Sequence, residues 1–362
     1  MEKKILVLAN NSGGLYGFRQ ELLEKLAENN RVVASTPFDN NIEDLKKSGV
    51  RLIETKFERR GMNPIKDFSL LLKYRKIIKQ ENPDVAITYT IKPNIYGGIV
   101  CRLLNKTYAV NITGLGTAFQ STGMLRKMVT AMYKFALKKA KVVFFENVEN
   151  KELFVNEKII KEVQAKVLNG AGVNLQKFSV LPYPNEQNTT RFLFMGRVMA
   201  EKGVNELFSA MKRLKDEGVD CSLDMIGGFD EDYEETINQY QEAGLLKYHG
   251  FQLDVHPFIE NCHCFVLPSW HEGMANTNLE SAASGRPVIT SNIHGCKEAV
   301  IEGESGFLFE RKNADDLYKV MKKFAELPLQ EKQKMGLMGR KHMEDVFDKN
   351  KVVEETIGAL FK

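Results

Sequence analysis

Two carboxylates, Glu272 and Glu280, flank a small polar stretch in the segment HEGMANTNLESAASG (271–285). The preceding apolar run CFVLPS predicts a buried strand, and the polar stretch predicts a helix that begins near Ala275 and ends at Gly285. Because the first N–H groups of a helix have no partners within it, a helix start can bind an anion. The backbone groups predicted to form this anion site belong to Met274, Ala275, Asn276 and Thr277.

Two cations in the segment FMGRVMAEKGVNELF extend the predicted anion site, because a helix start alone carries only about half a positive charge. Arg197 leaves the end of a predicted strand, where a guanidinium can hold two phosphate oxygens at once. Lys202 precedes the next predicted helix, where a cation opposes the helix dipole unless an anion is bound nearby. We interpret both side chains as ligands of a diphosphate rather than as ordinary surface cations.

The two carboxylates then require neutral partners. A diphosphate repels a carboxylate, so Glu272 and Glu280 are expected to accept hydrogen bonds from hydroxyl groups. Glu280, inside the predicted helix, is placed to accept both hydroxyls of a ribose. Glu272, on the loop, is placed to reach the hydroxyls of a second sugar beyond the phosphates. This arrangement favours a nucleotide-sugar as the ligand.

Strand-like runs alternate with helix-length segments along the chain, which is typical of parallel sheets covered by helices. These runs lie at residues 3–10, 31–36, 50–55, 84–90, 107–113, 141–147, 191–197, 221–228, 264–269 and 287–292. The pattern predicts an α/β protein with two Rossmann-like domains that face each other across a cleft. Ligands of such sheets bind outside the carboxyl ends of the strands, which is where the predicted site residues fall.

The domain boundaries follow from the same pattern and from the length of 362 residues, about twice that of a typical domain. We place a first domain at residues 1–170, a linker at 171–190 and a nucleotide-sugar-binding domain at 191–345. The first domain is expected to hold the molecule that reacts with the nucleotide-sugar, and we call it the acceptor-side domain. The linker assignment depends on LPYPNEQNTT, which has two prolines and a polar tail. Residues 346–362 are expected to form a helix that packs back on the first domain.

The net charge of +4 hides an asymmetry between the two halves of the chain. Residues 1–170 hold 29 lysines and arginines against 17 acids, and no acid lies between Asp84 and Glu146. A basic half of this kind indicates an anionic partner, either a membrane surface or a nucleic acid. The apolar and basic residues of 70–80 and 124–142 favour helices lying on an anionic membrane, although each segment also fits an ordinary amphipathic helix.

Short motifs argue against several other classes of protein. The first apolar run breaks at Asn10, too early for a signal peptide, and no run approaches the roughly 20 apolar residues of a membrane-spanning helix. Five cysteines, an odd number, favour a reducing cytoplasm. The Cys-His-Cys run at 262–264 has the wrong spacing for zinc. The acids at 230–232 imitate an Asp-x-Asp metal signature but are better explained as the acidic first turn of a helix, so no metal is expected.

At this point the chain resembles a known family. GRVMAEKG, followed by HEGMANTNLESAASGRPVITSNIHGCKEAV and GESGFLF, resembles the GT-B-fold glycosyltransferases of family 4, whose hallmark is two glutamates separated by seven residues. The segments ERRGMNPIKD, TYTIKPNIYGG, NITGLGTAF and NGAGVNLQKF are similar to the bacterial branch that builds capsule, O-antigen and related glycans on a polyprenyl diphosphate carrier. The resemblance extends across essentially the whole chain.

The resemblance implies a role for each residue of the predicted site. Arg197 and Lys202 are expected to bind the donor diphosphate and to stabilise its departure, and Glu272 is expected to bind the transferred sugar. These three are the implied catalytic residues. The residues implied for donor binding are Gly13, Gly14, Phe251, Gln252, Met274, Ala275, Asn276, Thr277 and Glu280, with the base against Phe251 and Gln252 and the ribose against Glu280. No cofactor is expected beyond the donor itself, a UDP-sugar.

The resemblance also implies retention of anomeric configuration without a metal. The residues agree, because all six histidines lie in the second half and 85–145 offers no acid, so the first domain is short of the general base that an inverting enzyme needs. The leaving phosphate then takes the acceptor proton itself. Asn111-Ile112-Thr113-Gly114 stands where many members carry a histidine, and Met274-Ala275 stands where Phe-Pro is common. The candidates left on the acceptor side are Lys92, Asn111 and Thr113.

The sequence therefore predicts a retaining, metal-independent glycosyltransferase that moves a hexose or N-acetylhexosamine from a UDP-sugar to a polyprenyl-diphosphate-linked saccharide. We expect it in the cytoplasm, peripheral on the inner face of the cell membrane. One alternative is a sugar-nucleotide epimerase of the same fold, which needs no acceptor. Another is a basic nucleic-acid-binding protein, which the sequence disfavours because the cations are not interleaved with an aromatic platform or a recognition motif.

Overall fold

The computed structural model describes residues 2–58, 61, 63–116, 119, 123–185 and 189–361. The chain forms two compact units, one of residues 1–171 with 350–362 and one of residues 172–349. Most of the predicted linker groups with the second unit, and its residues 186–188 lie outside the described residues. The segment ERRGMNPIKD is described only in part, and so is NITGLGTAF.

The first unit is built on a seven-stranded parallel sheet. Its strands are β1 (Lys4–Leu8), β2 (Arg31–Thr36), β3 (Arg51–Glu54), β4 (Val85–Tyr89), β5 (Thr107–Ile112), β6 (Val142–Phe145) and β7 (Ala165–Val167). They lie in the order β3-β2-β1-β4-β5-β6-β7, so the direction of the strand order reverses between β1 and β4. Leu6 of β1 lies opposite Val33 of β2 on one side and Ala86 of β4 on the other.

The helices of the first unit cover both faces of this sheet. They are α1 (Ser12–Ala27), α2 (Ile42–Lys47), α3 (Pro64–Glu81), α4 (Gly98–Leu103), α5 (Met124–Leu137) and α6 (Val148–Asn156), and a π-helical turn (Pro93–Gly97) directly precedes α4. Apolar residues of α1 pack in one core cluster, whereas those of α3, α4 and α5 pack in another on the opposite face. The α1 and α3 starts are fixed by the side chains of Asn11 and Asn63, which accept hydrogen bonds from first-turn N–H groups.

The second unit repeats the same topology on a six-stranded parallel sheet. Its strands are β8 (Thr190–Met195), β9 (Cys221–Ile226), β10 (Lys247–Tyr248), β11 (Cys264–Leu267), β12 (Val288–Ser291) and β13 (Gly306–Phe309). They lie in the order β10-β9-β8-β11-β12-β13, with the reversal between β8 and β11. The helices are α7 (Val204–Asp216), α8 (Glu234–Glu242), α9 (His256–Asn261), α10 (Asn276–Ala283), α11 (Ala314–Ala325) and α12 (Leu329–Val346).

A final helix, α13 (Lys349–Phe361), returns to the first unit. Val352, Val353 and Leu360 are buried there in the core cluster that also contains residues of α1. The Lys141 ammonium donates a hydrogen bond to the Leu360 carbonyl at 2.9 Å. Helix α13 therefore completes the core of a unit whose other elements lie within residues 1–171.

Arg286 fixes the first residues of the second unit to its core. Its fully buried guanidinium donates to the carbonyl oxygens of Ile259 at 2.8 Å and Leu181 at 3.2 Å. The Tyr183 hydroxyl donates to the His263 carbonyl at 2.7 Å. The segment around residues 181–183 is therefore held by side-chain hydrogen bonds rather than by a strand. Among the described helices, none is both long enough and apolar enough to cross a bilayer.

Candidate active site

The candidate site lies where the strand order of the second sheet reverses. Parallel α/β sheets bind ligands at the carboxyl ends of the two strands that flank such a reversal, because the loops from those strands diverge there. The loop after β8 carries Arg197 and Lys202, and the loop after β11 carries Glu272. The structure therefore places the three predicted catalytic residues on the two loops that this rule selects.

Lys202 and Glu272 form an ion pair, with the Lys202 ammonium donating to the Glu272 carboxylate. The Ser269 hydroxyl donates to the same carboxylate oxygen at 2.7 Å. Burial by itself would raise the pKa of Glu272, but the charge of Lys202 and the hydrogen bonds from Lys202 and Ser269 outweigh it and lower the pKa below its usual value. Glu272 is therefore a carboxylate at neutral pH, facing a cation as well as a hydroxyl.

Gly203 brings the two loops into contact. Its φ of +73° is in the left-handed region, and a Cβ at this position would lie 2.0 Å from the Pro268 carbonyl oxygen. The Trp270 N–H donates to the Glu201 carbonyl at 2.9 Å, which ties the two loops together a second time, two residues from the contact of Gly203 with Pro268. The close approach at residue 203 allows the side chains of Lys202 and Glu272 to meet.

Arg197 pairs with a different acid, Asp230, on the loop after β9. The backbone on either side fixes this geometry, because the Val198 N–H donates to the Gly228 carbonyl at 2.9 Å and the Asp230 N–H donates to the Val198 carbonyl at 3.1 Å. The Arg197 guanidinium is half exposed. One guanidinium nitrogen donates to Asp230, and the other N–H donors of Arg197 are available to a phosphate.

The structure corrects the prediction for the acids at 230–232. Helix α8 begins at Glu234, and the acids of its first turn are Glu234 and Glu235. The prediction that residues 230–232 form the first turn is wrong, because those residues precede the helix. Asp230 pairs with Arg197, and the Glu231 carboxylate accepts the Ala200 N–H at 2.8 Å. These acids position the loop after β8.

Helix α10 begins at Asn276, and no side chain of the described residues caps its first turn. The Ala275 N–H already donates to the Gly295 carbonyl at 2.7 Å, and the side chains of Met274 and Ala275 are buried in the core of the unit. Asn276 and Thr277 occupy the first two helical positions, and both are half-buried. The Asn276 amide oxygen is buried and accepts no hydrogen bond from the described residues. An anion at this helix start would therefore meet the N–H groups of Asn276 and Thr277.

Glu280 lies one turn further into α10 and is half-buried. Burial raises its pKa to about 7, against the opposing charges of Lys177, Lys349 and His256. A carboxyl group of this kind changes charge near neutral pH. Hydroxyl donors from a ligand would stabilise its ionised form.

Phe251 and Gln252 follow the edge strand β10. The Phe251 ring is 70% exposed, which leaves a flat apolar surface on which a base can stack. The Gln252 amide donates to the His249 carbonyl at 2.6 Å. The side chain of Gln252 is therefore fixed, and that of Phe251 is presented to solvent.

Gly13 and Gly14 lie in the first turn of α1, after β1. The Gly13 N–H donates to the Asp39 carboxylate at 3.3 Å, and the Gly14 N–H donates to the Asn11 side chain. Burial acts to raise the pKa of Asp39, but hydrogen bonds from Ser12 and from nearby backbone N–H groups outweigh it and lower the pKa below its usual value. The start of α1 is thus capped by side chains of its own unit, in contrast to the start of α10.

The three acceptor-side candidates also lie at the carboxyl ends of strands in the first unit. The Lys92 ammonium is buried against the Asp67 carboxylate at 2.8 Å. The Asn111 amide donates to the Thr88 carbonyl at 3.2 Å. Thr113 lies just beyond β5 and is half-buried. The amine of Lys92 and the amide of Asn111 therefore already make contacts that hold the strand ends in place.

The sequence did not predict the contacts of several polar residues of the site. Ser269 stands only three residues before Glu272, and its position directly after an apolar run was the available signal. His271 contacts the Glu201 carboxylate at 3.3 Å, and burial lowers its pKa. For Asp230, the sequence predicts a place in the first turn of a helix rather than a contact with a cation. Only the fold shows which of these acids meets which cation.

Comparison with solved structures shows the class of fold. The chain superposes on Anabaena HepE, solved in complex with UDP and glucose, with a TM-score of 0.82 over 99% of both chains at 16% identity. A glycosyltransferase from Rickettsia africae gives a TM-score of 0.80 over 99% of this chain and 98% of that one at 19% identity. At these identities the likeness establishes the fold, which is GT-B.

Sequence comparisons then establish the family. The family "Glycosyl transferases group 1" matches residues 181–342, and "Glycosyl transferase 4-like" matches residues 4–147. The chain is 30% identical over 276 residues to the UDP-Gal:alpha-D-GlcNAc-diphosphoundecaprenol alpha-1,3-galactosyltransferase of Escherichia coli, covering 71% of this chain and 70% of that protein. The chain therefore belongs to the family of group 1, or family 4, glycosyltransferases, and it is a glycosyltransferase.

A second relative is similar over more of its length. The chain is 27% identical over 331 residues to the N,N'-diacetylbacillosaminyl-diphospho-undecaprenol alpha-1,3-N-acetylgalactosaminyltransferase of Campylobacter jejuni, covering 87% of each protein. The capsular polysaccharide biosynthesis glycosyltransferase CapM of Staphylococcus aureus is 25% identical over 315 residues, or 82% of this chain and 81% of that protein. The family resemblance inferred from the motifs is confirmed.

Proposed function

We propose that this glycosyltransferase moves a hexose or N-acetylhexosamine from a UDP-sugar to a saccharide carried on polyprenyl diphosphate, in the synthesis of a bacterial surface glycan. The observation that carries the proposal is the Lys202–Glu272 ion pair at the reversal point of the second sheet, beside the uncapped start of α10. The substrate class is supported by the names of two relatives, each of which acts on a sugar linked to undecaprenyl diphosphate.

The cations of the site account for departure of the nucleotide. As the glycosidic bond breaks, negative charge develops on the leaving diphosphate, and donors already aimed at it lower the barrier. An ammonium has three N–H donors, so Lys202 can hold Glu272 with one and a phosphate oxygen with another. Arg197 and the first N–H groups of α10 add two further sources of positive charge.

The carboxylates of the site account for recognition of the two sugars. Glu272, kept ionised by Lys202, accepts hydrogen bonds from hydroxyls of the transferred sugar. Glu280, one turn inside α10, accepts the hydroxyls of the ribose, and Phe251 stacks on the base. In this proposal Lys202 contacts the leaving diphosphate and Glu272 contacts the transferred sugar, the two groups that the breaking bond joins.

We propose retention of configuration, with the leaving diphosphate accepting the proton of the acceptor hydroxyl. An alpha linkage formed from an α-configured UDP-sugar is retention, and both relatives that act on lipid-linked sugars are named as alpha-1,3-transferases. In the second unit, Lys202 and Arg197 supply the charge that a metal would otherwise supply, so we propose a metal-independent reaction. The proton that the acceptor loses then leaves with UDP.

We also propose that the first unit binds the anionic inner face of the cell membrane, where a polyprenyl-linked acceptor is found. Large apolar side chains are exposed on α3 at Ile65, Phe68 and Leu72 and on α5 at Met124 and Met128. Both helices cover the same face of the sheet and carry several lysines and arginines. Apolar and basic side chains together favour an anionic lipid surface over a nucleic acid.

The function is tested with the full chain, a panel of UDP-, GDP- and ADP-sugars and a short-chain polyprenyl-diphosphate-linked N-acetylglucosamine. We expect transfer from a UDP-sugar, and nuclear magnetic resonance of the product should show the same anomeric configuration as the donor. Consumption or epimerisation of the donor without acceptor would identify the epimerase alternative. Absence of transfer from every sugar nucleotide would contradict the proposal.

A further inference from the structure

Phe229 is an exposed aromatic residue at the carboxyl edge of the second sheet. It lies on the loop that follows β9, and it is 42% exposed. Its ring packs on the Tyr248 ring of β10, with 4.9 Å between the ring centroids and 40° between the ring planes. The Tyr248 hydroxyl donates to the Gly227 carbonyl at 2.6 Å, which holds the Tyr248 ring in place. The fold therefore supports the Phe229 ring on one side and leaves much of the residue open to solvent.

The backbone fixes Phe229 relative to Arg197. Val198 makes backbone hydrogen bonds to Gly228 and Asp230, the residues on either side of Phe229. Phe229 and Val198 are thereby paired as in a short stretch of parallel sheet. Since Val198 directly follows Arg197, Phe229 lies beside the arginine that we assign to the diphosphate.

Phe229 also lies close to Phe251, which we assign to the base. The Gly227 N–H donates to the Gly250 carbonyl at 2.8 Å, so the loops after β9 and β10 are joined directly before Phe251. Because β9 lies between β10 and β8 in the sheet, Phe229 lies between Phe251 and Arg197 along the carboxyl edge. A nucleoside diphosphate that reaches from Phe251 to Arg197 therefore passes Phe229.

The space beside the two phenylalanines is open. Gly228 directly precedes Phe229, and Gly250 directly precedes Phe251. A Cβ added at either glycine would meet no atom of the described residues within 4 Å, apart from its neighbours in the chain. A ligand can therefore reach both rings without displacing another part of the unit.

The position of Phe229, more than its exposure, indicates a role. Single exposed phenylalanines are ordinary on protein surfaces, so exposure alone assigns nothing. Phe229 is held by Tyr248 and lies between two residues of the predicted donor site. An aromatic ring at such a position offers a flat apolar surface to the face of a nucleobase.

We propose that Phe229 is a second aromatic contact for the base of the donor nucleotide, which stacks on Phe251. Every nucleobase has an apolar face, so this contact adds affinity for the donor without choosing between bases. The base takes no part in bond breaking, so the contact is made equally before and during the reaction. This inference rests on the proposed function and deepens it, because it assigns part of donor recognition to a residue outside the predicted site.

Phe229→Ala tests the contact, and Leu337→Ala is its control. Leu337 is also an exposed apolar residue of the second unit, 57% exposed on α12. In isothermal titration calorimetry, Phe229→Ala should weaken the Kd for UDP about tenfold, a loss typical of one contact between a base and an aromatic ring. The KM for UDP-sugar should rise by the same factor. Leu337→Ala should match wild type in both.

Phe229→Leu separates the flat ring from its apolar bulk. Leucine keeps apolar packing on Tyr248 but cannot stack on a base, so the melting temperature should stay close to that of wild type. Its Kd for UDP should lie between those of wild type and Phe229→Ala. A wild-type Kd for UDP in Phe229→Leu would show that the ring does not stack on the base, and would overturn the inference.

The division of the effect between KM and kcat separates a base contact from a disturbance of Arg197. Loss of a contact that is equal in the ground state and the transition state raises KM and leaves kcat unchanged. Displacement of Arg197 would instead lower kcat, because the departing diphosphate would be less stabilised. A lower kcat for Phe229→Ala with an unchanged Kd for UDP would therefore count against the base contact.

The outcomes also separate this inference from the proposed function. If wild type transfers sugar from no sugar nucleotide, the proposed function fails. If wild type is active and Phe229→Ala binds UDP with the wild-type Kd, the ring does not contact the base and only this inference is overturned. An equal loss in Leu337→Ala would also overturn it, since any exposed apolar residue would then have the same effect.

Discussion

The Lys202 ammonium and the Glu272 carboxylate contact each other across the two loops that leave β8 and β11. In the function that we propose, this contact fixes the cation for the leaving diphosphate and the carboxylate for the transferred sugar relative to one another before the donor binds. Such preorganisation is where electrostatic catalysis gains most, because the groups need no rearrangement as charge develops.

Loss of the Lys202 cation should lower turnover strongly. We expect Lys202→Ala to reduce kcat by about 10²–10³, the range for removal of one preorganised donor to a developing negative charge. Lys212→Ala is the control, because Lys212 is paired with Asp216 on an exposed face of α7 in the same unit. The rates are measured with saturating UDP-sugar and acceptor, and the fold is followed by circular dichroism. Near-normal kcat in a folded Lys202→Ala protein would contradict the assignment.

The close approach at Gly203 should be as important as the side chains it brings together. Gly203→Ala forces a Cβ to 2.0 Å from the Pro268 carbonyl oxygen, so the loops must separate. Gly218→Ala is a matched control, since Gly218 has the same φ of +73° with nothing within 4 Å of the added Cβ. The control should lose only about 1–2 kcal/mol of unfolding free energy and keep its turnover.

We expect Gly203→Ala to lose both more stability than that control and most of its activity. Urea unfolding gives the free energies, and the transfer assay gives the rates. Equal behaviour of the two variants would show that the contact between the loops at Pro268 does not position the site.

UDP affinity should rise as pH increases through the pKa of Glu280, about 7. Ribose hydroxyls donate to the ionised carboxylate and stabilise it, so binding favours loss of the proton. Glu280→Gln should bind UDP more weakly above pH 7 and should lack this component of the pH dependence. Isothermal titration calorimetry of both proteins between pH 5.5 and pH 8.5, a window of about 1.5 units on either side of that pKa, measures the difference. Titration of the UDP phosphate contributes equally to the pH dependence of wild type and of Glu280→Gln, so it cancels in the comparison. Parallel pH profiles would refute the ribose assignment.

The same carboxyl group should make stability fall with rising pH. Its pKa is raised from 4.5 to about 7, so the folded state holds the proton more tightly than the unfolded state does. The stabilisation by the protonated carboxyl is fully present below pH 4.5 and is lost as pH rises through about 7. Relative to wild type, Glu280→Gln should therefore gain stability between these values, which melting temperatures across the range would show. A difference in melting temperature between the two proteins that does not change with pH would contradict the raised pKa of Glu280.

Transfer should proceed at full rate in the presence of a chelator. Lys202 and Arg197 supply the positive charge for the diphosphate in our proposal, so no divalent cation is required. The transfer rate is measured after dialysis against EDTA and again after addition of magnesium or manganese. Activity that is lost to EDTA and restored by either ion would refute metal independence.

Anionic vesicles should bind the protein through α3 and α5. Each basic residue near such a surface contributes about 1 kcal/mol at moderate salt, and exposed apolar residues add to this. Ile65→Ser combined with Phe68→Ser should weaken flotation with vesicles that contain phosphatidylglycerol, while the Kd for UDP stays the same. Leu253→Ser, at an exposed apolar position in the second unit, serves as control. The membrane proposal fails if wild type does not float at either low or high salt.

Much of the fold could be predicted because parallel strands buried on both faces leave continuous apolar runs in the sequence. Each of the ten predicted runs overlaps a strand. The strands that were not predicted, β7, β10 and β13, lie at edges of the sheets and are only three, two and four residues long. The two or three residues of β7 and β10 are too few to give a periodicity, and the pairing of each of the three strands depends on a neighbour that is distant in sequence.

The candidate site was predictable only in part for a related reason. The loop positions of Lys202 and Glu272 follow from where strands end, but their contact depends on the approach of Gly203 to Pro268, which no local pattern reveals. Arg197 and Asp230 are 33 positions apart, and each is an ordinary charged residue in its own segment. Ion pairs of this kind become visible only when the topology brings the two segments together.

Helix α13 has a consequence for the order in which the chain folds on the ribosome. Its residues Val352, Val353 and Leu360 are buried in the core of the first unit, yet they are synthesised after the whole of the second unit, residues 172–349. The second unit can therefore reach its native state while the first still exposes the apolar surface that α13 covers. Chaperones that bind nascent chains should accordingly contact residues 1–171 for longer than residues 172–349, the reverse of their order of synthesis.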